Sequence, residues 1–307
     1  RGDAIGVLEL VLPEVPDRQM RADIEAAGHA LAYVIIANRR HTDLFEWGQR
    51  TTPFTLAAEI QRRLLPASFS SEADSYTLAA RLEPAASIGG DTFDYSLARD
   101  LLHLSVTDAV GHGVHSALTA TLCVGSLRNT RRHGCTLLEQ AHAANRALIE
   151  NAPGGFTFAT GLVGRLDLRT AVLSMVNAGH PAPLLVRDAV VAPLVLPVDR
   201  PFGVLRHETY RATEVPLRPG DRLVLFTDGM MERRAAAIDL PARLPELTGL
   251  HPREVVRLLG DTVLTVAGPT LPDDACLLVL DWHGGHGDAR STTAGADPER
   301  ASTAGPA

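Results

Sequence analysis

Acidic residues recur where apolar, strand-like runs stop. Asp91 lies in the glycine turn of ASIGGDTFDY, Asp108 closes LHLSVTD, Asp228 closes RLVLFTDG, and the pair Asp273–Asp274 precedes ACLLVLD. In an antiparallel sheet the end of one strand lies beside the start of its neighbour, so these acids can meet on a single sheet edge. Carboxylates gathered there repel unless a cation sits among them. All the candidate ligands are oxygens, which select Mg²⁺ or Mn²⁺ over zinc. Two such ions about 4 Å apart can activate water for in-line attack on phosphorus. Each acid has a plainer reading as well. An Asp before Gly is a common turn residue, and Asp108 could cap the helix that follows it.

The elements that must position these acids are legible from periodicity. YTLAARLEP, LLHLSVTD, TGLVGRLDL, VLSMVNAG, RLVLFTDG and ACLLVLDW read as strands. Leu162–Leu166 and Val172–Val176 flank DLRTA as a hairpin. Helices are expected over Leu56–Leu65, Val114–Arg131, Leu137–Asn151 and Arg253–Val266. Strands joined in hairpins, with helices inserted in blocks, predict an antiparallel α+β layered fold. Upstream, Ala4–Val15 reads as one strand stopped at Pro16. Residues 17–38 read as a helix with an apolar stripe through Met20, Ile24, Ala27, Leu31 and Val34. One strand and one helix cannot bury that stripe alone, so this stretch is expected to be the tail of a preceding domain. Arg1 is not an initiator Met, which fits a piece of a longer polypeptide. Residues 283–307 carry almost no apolar bulk and are expected to be disordered, His283 and His286 included.

Composition bounds the function. The chain has 307 residues, 45% hydrophobic and 21% charged, enough to bury a sizeable core. Its formal net charge is −7, with no lysine and no basic run, which argues against nucleic acid as a partner. Three scattered cysteines fit neither a disulfide framework nor a zinc site and suggest a cytoplasmic setting. No apolar run approaches the roughly 18 residues of a membrane span.

Six motifs then come in a familiar order: LLPAS, EPAASIGGDTFDY, VTDAVGHGVHSAL, FATGLVGRLDLRTAVLSMVNAGHPAPLLV, PLRPGDRLVLFTDGMMERR and PDDACLLVL. From about Ile60 to Trp282 the chain resembles the metal-dependent (type 2C) protein serine/threonine phosphatases, in the bacterial sporulation and stress-response branch that controls sigma-factor regulators. The resemblance implies a two-sheet antiparallel β-sandwich with helices on both outer faces, preceded by a helical connector. It implies two Mn²⁺ or Mg²⁺ ions held by Asp91, Asp108, Asp228 and Asp273, with Asp108 bridging, Asp274 as a further ligand and Ala109 offering its backbone carbonyl. Asp91, Asp108 and Asp228 are then the catalytic acids. Gly90, Gly111, His112, Asn177 and His180 are expected to shape the loops beside the site or the substrate path; His112 and His115 could otherwise be a zinc pair. The implied domains are a remnant of a GAF-like sensor (1–38), a helical connector (39–65), the phosphatase domain (66–282) and the tail (283–307).

The activity so implied is hydrolysis of phosphoserine or phosphothreonine on a regulatory protein, an anti-sigma-factor antagonist, with an upstream sensor domain in the same polypeptide. No nucleophilic Cys or Ser–His arrangement accompanies the motifs, so direct attack by water is expected. The exposed stripe on helix 17–38 suggests a homodimer. Two other readings stand beside this one. A non-catalytic adaptor would bind the same partner, and GGDTF is similar to the GGDEF signature of nucleotide cyclases, with Thr92 where that signature has its second acid.

Overall fold

The computed structural model describes residues 2–3, 8, 10–39, 41–42, 55–83, 90–151, 155–231, 239–267, 271 and 273–284. Two compact units divide the chain, residues 4–54 and the remainder. Within the first, helix α1 (Arg18–Asn38) starts at Asp17, whose Oδ1 accepts from Met20 N at 2.7 Å, and none of its residues is buried. The strand expected over 4–15 is not found among its described residues: Leu8 and Leu10–Val15 form no ladder. Pro13 and Pro16 remove amide donors there. Instead Gly2–Asp3 (β1) pairs with Ser71 and Glu72 of the second unit.

The second unit begins with helix α2 (Leu56–Leu64), capped by Thr55, whose Oγ1 accepts from Ala58 N. Strands β2 (Ser70–Ala73), β3 (Tyr76–Glu83), β4 (Thr92–Ala98) and β5 (Leu101–Ala109) follow. Helices α3 (Val114–Arg132) and α4 (Leu137–Asn151) come next, then the predicted hairpin, β6 (Ala159–Asp167) and β7 (Val172–Ala178). Short strands β8 (Leu184–Arg187), β9 (Val190–Pro193), β10 (Val198–Asp199) and β11 (Ala212–Pro216) lead to β12 (Arg222–Phe226). Helices α5 (Leu240–Arg243) and α6 (Pro252–Ala267) precede the last strand, β13 (Ala275–Trp282).

These strands make two sheets. The seven-stranded sheet runs β1-β2-β3-β13-β12-β8-β9, and the six-stranded one runs β10-β7-β6-β5-β4 with β11 also beside β7. Pairing is antiparallel except between β10 and β7. Alternation decides which side chain goes where. On β13, Cys276, Leu278, Leu280 and Trp282 enter the core between the sheets, while Ala275, Leu277 and Val279 meet Val255, Leu259 and Val263 of α6. On the other sheet, Leu102, Leu104 and Val106 point inward and Ala109 points toward α3 and α4. The result is helix, sheet, sheet, helix, the sandwich the sequence implied.

The tail reading needs one correction. His283 is anchored at the start of β3: its backbone N donates to Ser75 O at 2.8 Å, and its Nε2 lies 2.8 Å from Thr77 Oγ1. His286 lies outside the described residues.

Arg222 shows what fastens the α6 side to its sheet. Its buried guanidinium forms a fork on Asp281 (2.6 and 2.8 Å) and donates to the carbonyls of Leu247 (2.7 Å) and Leu250 (2.6 Å). Removing one partner of such a buried pair costs about 3 kcal/mol or more. Chemical denaturation of Arg222→Ala should show a loss of that order. Arg222→Lys, which keeps the charge without the fork, should recover less than half of it.

Candidate metal centre

The proposed acids gather at one end of the sandwich, and strand register accounts for this. Thr92 pairs with Thr107, so Asp91 falls opposite Asp108, and Asp108 in turn pairs with Thr160. Inward-facing Phe93 and Val106 share parity with Asp91 and Asp108, which puts both acids on the face turned toward the other sheet. There, Phe226 pairs with Leu277, so Asp228 follows the end of β12 where Asp273 and Asp274 precede β13. The acids therefore do not share one sheet edge, as sequence reasoning had it. Asp91 and Asp108 come from one sheet, Asp228, Asp273 and Asp274 from the other, and the two groups meet across the gap between sheets.

Their charges register this meeting. Burial and then the neighbouring Asp228 and Asp273 push the Asp108 carboxyl up to about 7, although a hydrogen bond with Asp91 works against the rise. Asp91, 2% exposed, is raised well above the usual carboxylate range by burial, then by Asp108, with Asp274 and Asp273 adding to it. Among the described residues no three acids close on one point as a ready-made cage. The donor chemistry nevertheless fits hard divalent cations: several carboxylates, partly desolvated and repelling one another.

Glycines let the backbone come this close. A Cβ at Gly90 would sit 2.4 Å from Ala109 O, and one at Gly229 would sit 1.9 Å from Asp274 O. Gly90 thus keeps its place beside the site, with Ala109 N donating to Gly90 O at 3.3 Å. Asp108 does not cap the next helix. The residue at that position is Gly113, and no side chain caps it. Gly111 and His112 lie exposed in the turn between, and His115 is exposed on the first turn of α3.

Asn177 and His180 are buried and bind each other through backbone and side chain. Asn177 Nδ2 donates to His180 O at 2.9 Å, and His180 N donates to Asn177 Oδ1 at 2.8 Å. The imidazole spans the sheets, with Nδ1 2.7 Å from Thr160 Oγ1 and Nε2 3.1 Å from Phe226 O. A carbonyl only accepts, so Nε2 carries the proton and Nδ1 takes the threonine hydroxyl's. Burial holds His180 down at about 4, neutral as this arrangement requires.

Three positioning residues escaped the sequence reading. Thr227 Oγ1 donates to Asp91 Oδ2 at 2.5 Å and accepts from Cys276 N at 2.9 Å. Gln61 Nε2, on α2, donates to Asp91 O at 2.8 Å and to Asp274 Oδ2 at 2.5 Å. Thr160 holds His180. The signal for Gln61 was present: it lies on the buried face of α2 with Ala57 and Leu64, a polar side chain at apolar spacing.

The pattern of the family described as Stage II sporulation protein E (SpoIIE) matches residues 98–283, more than half of the chain. The chain belongs to the SpoIIE family. Among curated relatives, the phosphoserine phosphatase RsbU of Bacillus subtilis (strain 168) is 24% identical over 240 residues, covering 73% of this chain and 68% of RsbU. The phosphoserine phosphatase RsbP of the same organism is 22% identical over 235 residues, covering 74% of this chain and 57% of RsbP. Among solved structures, the RsbU and RsbW domains of Rv1364c from Mycobacterium tuberculosis superpose with a TM-score of 0.61 at 29% identity, over 70% of this chain and 62% of that one. The SiaA-PP2C domain of Pseudomonas aeruginosa superposes with a TM-score of 0.60 at 19% identity, over 86% of this chain and all of that one (100%). The fold is thus that of PP2C phosphatases. The family match begins beyond Asp91, and that acid joins the set through strand register and through its proximity to Asp108, Asp273 and Asp274. The chain spans little more than half of RsbP.

The raised Asp108 carboxyl has a measurable consequence. In the folded state it binds its proton more tightly than in the unfolded chain, so its ionisation removes stability as pH rises from about 4 to about 7. Asp108→Asn lacks that loss. In the presence of chelator, its melting temperature should match wild type near pH 4 and exceed it increasingly up to pH 7.5. A constant difference across that range would contradict the repulsion.

Proposed function

We propose that this chain is a metal-dependent phosphatase acting on phosphoserine or phosphothreonine of a regulatory protein. The observation that supports it best is the convergence of Asp91, Asp108, Asp228, Asp273 and Asp274 from both sheets at one end of a PP2C fold. In this reading Asp91, Asp108, Asp228, Asp273, Asp274 and the Ala109 carbonyl would hold two divalent cations, Mn²⁺ or Mg²⁺. Such ions, when bound, supply Lewis acidity and a water acidic enough to attack phosphorus at neutral pH. Asp91 keeps its orientation through Thr227, and Asp274 through Gln61. His180, held neutral between Thr160 and Phe226, fixes the spacing of the two sheets rather than moving a proton. Gly111 and His112 lie exposed where a protein substrate would approach.

The similarity to the phosphoserine phosphatases RsbU and RsbP supports phosphoserine as the group hydrolysed, and the motifs' resemblance to the sigma-factor-regulator branch makes an anti-sigma-factor antagonist the preferred class of substrate. Residues 1–38 in this reading are the end of a sensor domain and residues 39–65 its connector, whose last part, α2, meets the acids through Gln61. A cyclase reading gains no support, since Thr92 and Phe93 of GGDTF open β4 and Asp91 beside them joins the acid cluster. An adaptor reading is disfavoured by an acid set with no member replaced.

The helix α1 leaves Met20, Leu31 and Val34 exposed along one face, a stripe that suits a homodimer. Light scattering over a dilution series should show the dimer, and Leu31→Glu with Val34→Glu should abolish it.

The activity is tested with a phosphoserine peptide. Wild type should turn it over with Mn²⁺ or Mg²⁺ and stop when chelator is added, and it should not convert GTP under any condition. Asp108→Asn should lower kcat by about a hundredfold or more, since it removes a ligand to the ions, while circular dichroism stays unchanged. Turnover by that variant at the wild-type rate would refute the two-metal site.

A further inference from the structure

The row of residues that carries Asp91 and Asp108 continues across the sheet and ends on a cation. Asp91 falls opposite Asp108, Asp108 opposite Thr160, and Gly161 pairs with Ala178, which puts Thr160 opposite Gly179. The parallel strand β10 pairs Val198 with Asn177 and Asp199 with Ala178, so Arg200 follows at the level of Gly179. The chain then swings inward. Pro201 lies where a Cβ of Gly179 would be, 2.6 Å away, and Phe202 pairs directly with Ala159 at the head of β6.

The face follows from carrying the alternation of β10 one residue past its end. Asp199 is buried level with Ala178, which points to the helix layer, and it holds Arg211. Arg200 is the next residue, on the opposite face, the one that Asn177 shares with Asp108 and Asp91. It is exposed, and it makes no hydrogen bond or ion pair with any described residue. Strands lie about 4.8 Å apart, and β5, β6, β7 and β10 are successive neighbours, so Arg200 leaves the backbone three spacings, on the order of 14 Å, from Asp108. An extended arginine side chain reaches about halfway toward it.

Charge makes this placement consequential. Five carboxylates exceed the positive charge of two divalent cations, while a phosphate monoester arrives carrying close to two negative charges. An ester held over the acids therefore needs a further cation on its outer side. A guanidinium meets phosphoryl oxygens through a planar fork of donors, a geometry that an ammonium lacks.

We infer that Arg200 is a substrate-binding residue that grips the phosphoryl oxygens of the ester from the β10 side of the acid cluster. The inference deepens the phosphatase reading and rests on it for the position of the phosphoryl group. Arg200 acts on binding and takes no part in proton transfer.

The probe is inorganic phosphate, titrated calorimetrically into the full chain with saturating Mg²⁺. Arg200→Ala should weaken phosphate binding about tenfold, the loss of one exposed charge-assisted contact, and Arg200→Lys should fall between the two. With p-nitrophenyl phosphate the alanine variant should raise KM by a similar factor and keep kcat within about twofold. Mg²⁺ affinity and melting temperature should match wild type, which separates lost contact from lost fold. Phosphate binding by Arg200→Ala equal to wild type, or no phosphate binding by wild type, overturns the inference. Arg200-dependent phosphate binding by a chain that hydrolyses neither p-nitrophenyl phosphate nor a phosphoserine peptide would uphold the inference and remove the phosphatase reading.

Discussion

Mutual repulsion of buried carboxylates is the constraint around which this domain is arranged. Asp91 and Asp108 lie opposite each other at one end of a sheet, mostly out of water, with three more acids facing them from the second sheet. Left to themselves such groups would separate or take up protons. The strand ladders prevent the first, because moving Asp108 away from Asp91 would break the β4–β5 register along its whole length. Stability made elsewhere, in the core between the sheets and under the helices, is what keeps the charges together. The apolar layers of Leu102, Leu104, Val106, Leu278 and Leu280 thus serve the chemistry indirectly, as the source of the free energy that the acid cluster opposes.

Holding acids close within one sheet does not align them with those of the other. That task falls to a few side chains that cross the gap at the same end. Thr227 reaches from the end of β12 to Asp91, and its hydroxyl also receives the Cys276 amide, so three segments share one oxygen. His180 joins Thr160, the partner of Asp108, to the carbonyl of Phe226, just before Thr227 and Asp228. These crossings are short and buried, and a protonated His180 would lose the acceptor that Thr160 needs. Burial therefore does useful work on the imidazole: by making the charged form costly it preserves the tautomer that spans the sheets.

The legible part of this architecture was whatever local patterning controls. The β6–β7 hairpin and α4 followed from period-two and period-3.6 spacing, and the acids stood out because each borders such a run. Sheet membership was a different matter. The ends of LSVTD and LVLFTD look alike in sequence, yet one strand belongs to each sheet, and only non-local pairing with β6 and β13 separates them. Short strands such as β10 carry too few residues for any periodicity. They exist because Asn177 and Ala178 offer an edge. The described part of the strand expected over 4–15, Leu8 and Leu10–Val15, failed in the opposite sense, since apolar residues without a partner ladder make no strand. His283 was read from the composition of the tail around it, while two hydrogen bonds to β3 decide its fate.

Gln61 carries the argument furthest from what local pattern can show. A single amide nitrogen on α2 donates both to the backbone of Asp91 and to the carboxylate of Asp274, acids that belong to different sheets. One turn on, the carbonyl of Leu64 receives Arg128, which also forms a fork on Asp94, three residues beyond Asp91 on the same strand. Helix α2 is therefore tied at two points to the segment that carries Asp91. A rotation by one residue, about 100° on an α-helix, would replace Gln61 with Ile60 or Arg62 at the acids. The first has no donor, and the second brings a full positive charge into a space shaped for metal ions. Seating of this helix and geometry of the acid cluster are consequently one variable, and any force that turns α2 is felt first at Asp91 and Asp274.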